Sequence, residues 1–158
     1  MTRPITKIIL MTPVGRVSVQ ATETELLAIK LLVSHGDTDN ELISSAVADK
    51  AINQLKSYFI DAHHKWSLPL AEQGTSFQQK VWQCLSMITA GETRTYSQIA
   101  DQLGSSARAV ANACKANPYA IVIPCHRVVS KSGLGGYYGK TDGKEIEVKR
   151  WLLDHEAR

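Results

Sequence analysis

Cysteine is scarce in this chain: Cys84, Cys114 and Cys125 are the three among 158 residues. An odd count without paired spacing excludes a disulfide framework as the organising device. No C-x-x-C pair occurs, which speaks against a zinc ribbon or finger. His63 and His64 have no cysteine near them and read as exposed residues at a helix end, and His35 reads as a loop residue. Long apolar runs are missing too, and none reaches the length a membrane span needs. The segment Met1-Thr2-Arg3-Pro4-Ile5 lacks the apolar core of a secretory signal. A soluble, intracellular protein is expected. Charge of one sign is also in short supply. The net charge is +3, carried unevenly: residues 1–70 hold seven basic and seven acidic side chains, residues 71–158 eleven and eight. The second half therefore carries the whole surplus, which fits a polyanionic partner.

What is present is enough for a real core, since 44% of residues are hydrophobic. The length suits one domain or two small lobes. Ile5–Met11 and Leu26–Val33 read as apolar strands, and Arg16–Gln20 alternates polar and apolar as a half-buried strand does. Thr12-Pro13-Val14-Gly15 and Ala21–Thr24 supply turns, and residues 34–40 a polar loop. Val47, Ala51, Leu55, Tyr58 and Phe59 recur along one helical face. The fold class expected is α+β, with a small N-terminal lobe of antiparallel sheet plus helix and a mainly helical C-terminal lobe. Leu68-Pro69-Leu70 crosses between them, which sets the lobes at 1–70 and 71–158.

The second lobe opens with a helix capped at Thr75 or Ser76, with Gln78 or Gln79 at the capping-box position. Phe77, Val81, Trp82, Leu85 and Ile88 form its apolar face, and Cys84 lies in or beside the core. Thr95 with Gln98 starts a second helix, and Gly104 ends it. Ser105 or Ser106 caps a third that runs to about Ala116. Helix, glycine turn and helix make a helix-turn-helix layout. The second helix of the pair is dominated by alanine and offers only Arg108 and Asn112 to base edges. Small side chains there permit close docking in a groove with little sequence readout, and Arg108 is long enough to reach into a duplex.

Asn117-Pro118 breaks that helix. Ile121-Val122-Ile123 and Val128-Val129 read as short buried strands flanking Pro124-Cys125-His126-Arg127. Neighbouring side chains of a strand face opposite ways, so Cys125 belongs on a tight turn, where thiol and imidazole converge. Such a pair is an activated nucleophile, because the thiolate is the reactive form and a nearby His or Arg favours it. Ser130–Gly139 carries four glycines and two tyrosines, which suggests a loop that closes over a flat ligand. Asp142 and Glu145 look like a capping box for a last helix, whose apolar side is Ile146, Trp151, Leu152 and Leu153.

Ile123-Pro124-Cys125-His126-Arg127-Val128-Val129 resembles the active-site signature of the O6-alkylguanine-DNA alkyltransferases, or methylated-DNA–protein-cysteine methyltransferases. Gly74-Thr75-x-Phe77-Gln78-x-x-Val81-Trp82, Gly91-Glu92-Thr93-x-x-Tyr96-x-x-Ile99-Ala100, Ala107-Arg108-Ala109-Val110, Asn117-Pro118, Gly136-x-Tyr138 and Lys149-x-Trp151-Leu152-Leu153-x-His155-Glu156 follow the same family's order. The blocks span residues 74–156; the first lobe agrees only in size and element order, as the family's ribonuclease-H-like scaffold.

The resemblance implies DNA repair by direct reversal. A guanine alkylated at O6, or a thymine alkylated at O4, is flipped out of duplex DNA, and its alkyl group moves irreversibly to Cys125, once per chain. His126 takes the thiol proton through a water and Glu156 orients the imidazole, favouring its cation. Tyr96 presses the target phosphate and bonds the flipped base, Arg108 fills its place in the stack, and Asn117 braces the turn. Ala109, Ala111 and Asn112 meet DNA. Val128, Gly136, Tyr138 and Gly139 join Tyr96 around the base, and Lys140 narrows the pocket mouth. No cofactor and no metal are expected, nor a membrane or an obligate protein partner. A cytoplasmic monomer is expected, nucleoid-associated if the source is bacterial. The alternatives are a non-catalytic binder of alkylated DNA, disfavoured by the presence of Cys125, a Cys-His hydrolase, and a small transcription factor, disfavoured by the alanine-rich helix.

Overall fold

The computed structural model describes residues 5–32 and 45–158. They divide into two compact units: the described part of Met1–Glu72 with Pro118–Ala120, and Gln73–Asn117 with Ile121–Arg158. The polar loop at 34–40, His35 within it, and Val33 lie outside the described residues. Among the described residues, no helix is long and apolar enough to cross a membrane.

In the first unit, β1 (Thr6–Thr12), β2 (Gly15–Ala21) and β3 (Leu26–Leu32) form an antiparallel meander. β2 is central, and Val17, Val19 and Ala21 are fully buried on it. Val19 faces Ile8 on one side and Ile29 on the other, so β-branched side chains ladder across the sheet. The first turn closes through the Thr12 hydroxyl, which donates to Gly15 O at 2.7 Å and accepts from Val14 N at 3.2 Å. Helix α1 (Ala46–Ile60) is capped by Ser45, whose Oγ accepts from Ala48 N at 3.1 Å and donates to Thr22 O at 2.9 Å. Val47, Ala48, Ala51, Leu55 and Tyr58 are its buried face, while Phe59 packs half-buried against the Tyr58 ring. His64 follows the helix, beside Gln54 and edge-on to Trp66.

Two segments remote in sequence complete β3. Leu26 bonds Pro69 O and Ala71 N, and Ile29 bonds Pro118 O and Ala120 N. The Tyr119 hydroxyl lies 2.8 Å from Leu26 O and 2.7 Å from Ala71 O. No periodicity in residues 118–120 announces this role, because it is set by a partner about 90 residues away.

The second unit is built on four helices: α2 (Ser76–Ser86), α3 (Tyr96–Leu103), α4 (Ala107–Lys115) and α5 (Lys144–Glu156). The Thr75–Gln78 and Thr95–Gln98 capping boxes both form, and Ser106 caps α4. Gly104 ends α3 in the left-handed region at φ +64°, where a Cβ is unfavourable. Trp82 on α2 donates its indole N–H to Ala113 O at 2.9 Å, tying α2 to the end of α4. The short strands β4 (Arg94–Thr95) and β5 (Val128–Val129) pair in parallel.

Two expectations fail. Ile121-Val122-Ile123 is buried but forms a turn and bend rather than a strand. Its apolar run reflects burial alone, and Ile121 sits at φ +72°, an outlier for a β-branched residue. Nor does Asp142 cap α5: Gly143 precedes the helix at φ +84° without a side-chain cap. On α5, Lys149, His155 and Glu156 are buried beside Ile146, Val148 and Leu152, while Trp151 and Leu153 are half-buried.

Tyr119→Phe is expected to cost about 1–2 kcal/mol, since it removes the one hydroxyl proton that the Leu26 and Ala71 carbonyls share. Urea denaturation measures it, with the denaturant slope unchanged.

Candidate active site

Cys125 heads a single 3-10 turn, Cys125–Arg127, between the bend at Ile123-Pro124 and β5. A 3-10 turn sets consecutive side chains about 120° apart, whereas a strand sends them to opposite faces. Cys125 N–H donates to Ile123 O at 2.8 Å, Arg127 N–H to Pro124 O at 3.0 Å, and the Asn117 side-chain amide to Ile123 O at 2.8 Å. Asn117 thus joins the end of α4 to the carbonyl two residues before Cys125.

His126, Arg127 and Glu156 form a closed, buried group. His126 Nε2 lies 2.7 Å from Glu156 Oε2. Arg127 forks onto the same carboxylate, Nε to Oε1 at 2.8 Å and Nη2 to Oε2 at 3.0 Å, and Nη1 donates to Ile88 O. Glu156 is 2% exposed, so it is no solvated residue at a fraying end. Burial alone would raise its carboxyl, but the bonds from His126 and Arg127 outweigh burial and bring it from 4.5 down to about 2. For His126 burial wins: it pushes the imidazole below its ordinary value despite Glu156, and nearby Arg127 and Lys149 add to the effect. Glu156 does favour the cation, as expected, but burial is the larger influence and the net direction is downward. A neutral imidazole donating Nε2–H to Glu156 keeps a lone pair on Nδ1, which is buried and has no hydrogen-bond partner among the described residues.

Burial also pushes the Cys125 thiol up, opposed by the Asn117 amide, the Lys149 charge and the Tyr138 hydroxyl. That hydroxyl is buried beside the sulfur without a hydrogen bond of ordinary geometry. The thiol opens into a cleft of about 360 Å3 lined by Tyr96, Ala111, Asn112, Cys114, Lys115, Gly136, Tyr137, Tyr138, Gly139 and Thr141 besides Cys125. Three walls meet there: α3 through Tyr96, α4 through residues 111–115, and the glycine-tyrosine loop. The loop is fastened rather than free. Tyr96 Oη donates to Gly136 O at 3.2 Å, Lys149 Nζ to the same carbonyl at 2.8 Å, and Tyr137 and Lys140 exchange backbone bonds.

Of the residues singled out in the sequence, Cys125, Tyr96, Ala111, Asn112, Gly136, Tyr138 and Gly139 line this cleft. His126, Glu156, Asn117 and Val128 are buried behind it. Arg108 and Asn112 are exposed on α4, and Ala109 is half-buried without lining the cleft. Lys140 is exposed and outside the lining. The cation at the mouth is Lys115 instead, whose stem would be 2.9 Å from any Cβ added at Gly139 (φ +78°). Sequence reasoning missed Lys115, Cys114, Arg127 as the clamp on Glu156, and Lys149. The signal for Arg127 was its place in the Cys125 block, but its partner lies 29 residues on. Among the described residues, no cluster of His, Cys, Asp and Glu is suited to a metal ion.

The acid group predicts a pH profile of stability. Native His126 binds a proton less readily than in the unfolded chain, so stability falls as pH drops below about 6.5. Glu156 adds a loss of the same sign as pH falls from about 4.5 to about 2. Glu156→Gln is expected to flatten the lower part of this curve and to cost on the order of 3 kcal/mol at neutral pH, since it strands the Arg127 cation. Denaturation across pH, followed by tryptophan fluorescence, measures both.

Comparison with known proteins agrees with this geometry. Residues 76–158 match the family model described as 6-O-methylguanine DNA methyltransferase, DNA binding domain. The chain is similar to the probable methylated-DNA–protein-cysteine methyltransferase of Acanthamoeba polyphaga mimivirus, 41% identical over 152 residues, which are 89% of this chain and 97% of that one. It is similar to the constitutive methylated-DNA–protein-cysteine methyltransferase of Bacillus subtilis, 46% identical over 110 residues, 68% of this chain and 64% of the relative's length. Among solved structures it resembles the O6-methylguanine methyltransferase of Mycobacterium tuberculosis, with TM-score 0.82 and 33% identity over 98% of this chain and 93% of that one. It also resembles a Mycobacterium tuberculosis structure in complex with DNA, with TM-score 0.78 and 37% identity over 94% and 91% of the two chains. A chain so matched over its second unit, and along nearly its whole length by the viral relative, belongs to the methylated-DNA–protein-cysteine methyltransferase family.

Proposed function

We propose that this protein repairs O6-alkylguanine in duplex DNA by moving the alkyl group irreversibly onto Cys125. The observation that carries the reading is that the thiol and the helix-turn-helix helix α4 line one cleft. A base within the stack cannot offer its O6 substituent to a sulfur, so the target is extruded at a cost of a few kcal/mol. Arg108, exposed on α4, enters the vacated place and offsets part of that cost. The base enters the cleft under Tyr96 and between the backbone of Val128, Gly136 and Gly139 and the Tyr138 side chain. Tyr96 holds the flipped base and the phosphate beside it, while Ala109, Ala111 and Asn112 meet the groove.

The thiol proton leaves toward His126 Nδ1, directly or through one water, with the imidazole held by Glu156 and Glu156 held by Arg127. Sulfur attacks the alkyl carbon, an S–C bond forms and the C–O6 bond breaks. Guanine keeps the electron pair and takes up the displaced proton. Atoms and charge balance without a cofactor. A thioether has no exit route here, so each chain acts once. Asn117 holds the turn that carries Cys125. O4-alkylthymine, with the same C–O linkage, is a second substrate. The N-terminal lobe, residues 1–70, is the scaffold, and the catalytic lobe is 71–158. The protein acts as a monomer in the cytoplasm, on nucleoid DNA if the source is bacterial.

Incubation with a duplex bearing one O6-methylguanine, followed by peptide mass analysis, tests this. One methyl mass on Cys125 and no further turnover is expected. Binding without mass gain leaves only a lesion binder, and sustained turnover refutes the single-use step. Cys125→Ser abolishes transfer while retaining duplex affinity. Glu156→Gln slows transfer on the order of 100-fold and shifts its pH profile, again at near-native affinity; an unaltered profile removes Glu156 from the mechanism. Arg108→Ala slows duplex repair at least about tenfold but leaves reaction with free O6-benzylguanine nearly unchanged, because that substrate needs no flipping.

A further inference from the structure

Lys149 is a buried charged side chain that the mechanism above does not use. It is 0% exposed, on the inner face of α5. Its ammonium donates to Val128 O at 2.6 Å and to Gly136 O at 2.8 Å. No carboxylate pairs with it among the described residues, so the bonds go to neutral carbonyls. Burying a cation this way is costly. Fastening a loop does not by itself require a cation, although a charged donor holds carbonyls more strongly than a neutral one. The groups facing Lys149 explain the charge. The Tyr96 ring on α3 has its centroid 5.8 Å from Nζ. Cys125 and Cys114, from the 3-10 turn and from α4, are the thiols within its electrostatic reach, and both line the cleft. His126 is near enough to feel it as well. The neighbouring cation Arg127 is already paired with Glu156.

We propose that Lys149 is a positioning residue of the transfer site, tying the base-binding loop at Gly136 to the strand behind Cys125 and supplying the fixed positive charge that the Cys125 thiolate meets as it forms. The assignment rests on the transfer reading for its purpose, but its chemistry is separate. Burial lowers the Lys149 ammonium to about 8, with Cys125 and then Cys114 pulling the other way. It is therefore mostly charged at neutral pH. Lys149 in turn opposes the upward push on the Cys125 thiol. One residue both shapes the cleft and biases its nucleophile.

The test reads the thiol without DNA. The full chain is reacted with iodoacetamide across pH 6–10, and carboxamidomethylation of Cys125 is followed by mass spectrometry against half-exposed Cys84 as internal reference. Lys149→Met should move the Cys125 midpoint to higher pH by about one unit, and so slow its reaction near neutral pH by about tenfold relative to Cys84. Lys149→Arg, which keeps the charge, should restore a midpoint close to wild type. A folded Lys149→Met with an unmoved midpoint overturns the proposal. Should that variant not fold, hydrogen exchange of the wild-type chain decides. Protection at Leu134–Lys140, corrected for intrinsic rates, should fall several-fold between pH 7 and 9.5 as the ammonium loses its proton and its charge-assisted bonds weaken; constant protection overturns the proposal. A wild-type chain that fails to take methyl from DNA, but whose thiol midpoint shifts in Lys149→Met, supports the charge assignment while overturning the repair reading.

Discussion

The Glu156 carboxylate is the interaction on which the site depends. It stands at the end of α5 and receives His126 and both arms of the Arg127 fork. Two consecutive residues of the Cys125 turn are thereby pinned to one helix end, and the turn keeps its geometry between them. A buried carboxylate with one partner would be costly; with an imidazole and a bidentate guanidinium its oxygens are occupied and its charge compensated. The consequence for chemistry is a neutral, oriented imidazole rather than a cation. Such a group accepts a proton on demand.

The second constraint is the route of the chain into that turn. Residues 118–120 are bonded along β3 of the first unit, and the next residue, Ile121, takes φ +72°. A β-branched residue in that region costs on the order of 1–3 kcal/mol and persists only where its surroundings over-determine it. Here the surroundings are complete burial of Ile121 and the Asn117 amide on Ile123 O. A strand through 121–123 would have carried Cys125 and His126 to opposite faces. The irregular backbone instead leads into the 3-10 turn Cys125–Arg127, with Cys125 lining the cleft and His126 bonded to Glu156.

The cleft itself is assembled from parts that differ in how they are held. α3 and α4 are regular and capped at both ends by local chemistry. The glycine-tyrosine loop has almost no regular structure and is secured by two side chains, Tyr96 and Lys149, converging on one carbonyl at Gly136. This wall of the cleft is therefore positioned by residues from two helices that do not belong to it.

Local rules made much of this legible without coordinates. Thr75–Gln78, Thr95–Gln98 and Gly104 mark their helix boundaries because capping is decided within a few residues. The three strands of the first unit follow from short-range alternation and turn chemistry, and the family followed from the Cys125 block with its companions. Where local signals were outvoted, the reading failed. Ile121–Ile123 looked like a strand because apolarity reports burial and not backbone path. Asp142 looked like a cap, but Gly143 holds the cap position and no side chain caps the helix. Lys140 looked like the gate, and Lys115 holds that position. What the sequence by itself determined was the element order and the family, and it supplied Cys125 and His126 as the proposed nucleophile and base, since each is written in neighbouring residues. What only the tertiary structure decided was the company they keep: Arg127 on Glu156, Lys149 on the loop, Cys114 in the cleft and the protonation state of His126. Those depend on burial and on contacts 13 to 39 residues apart, and no local pattern encodes either.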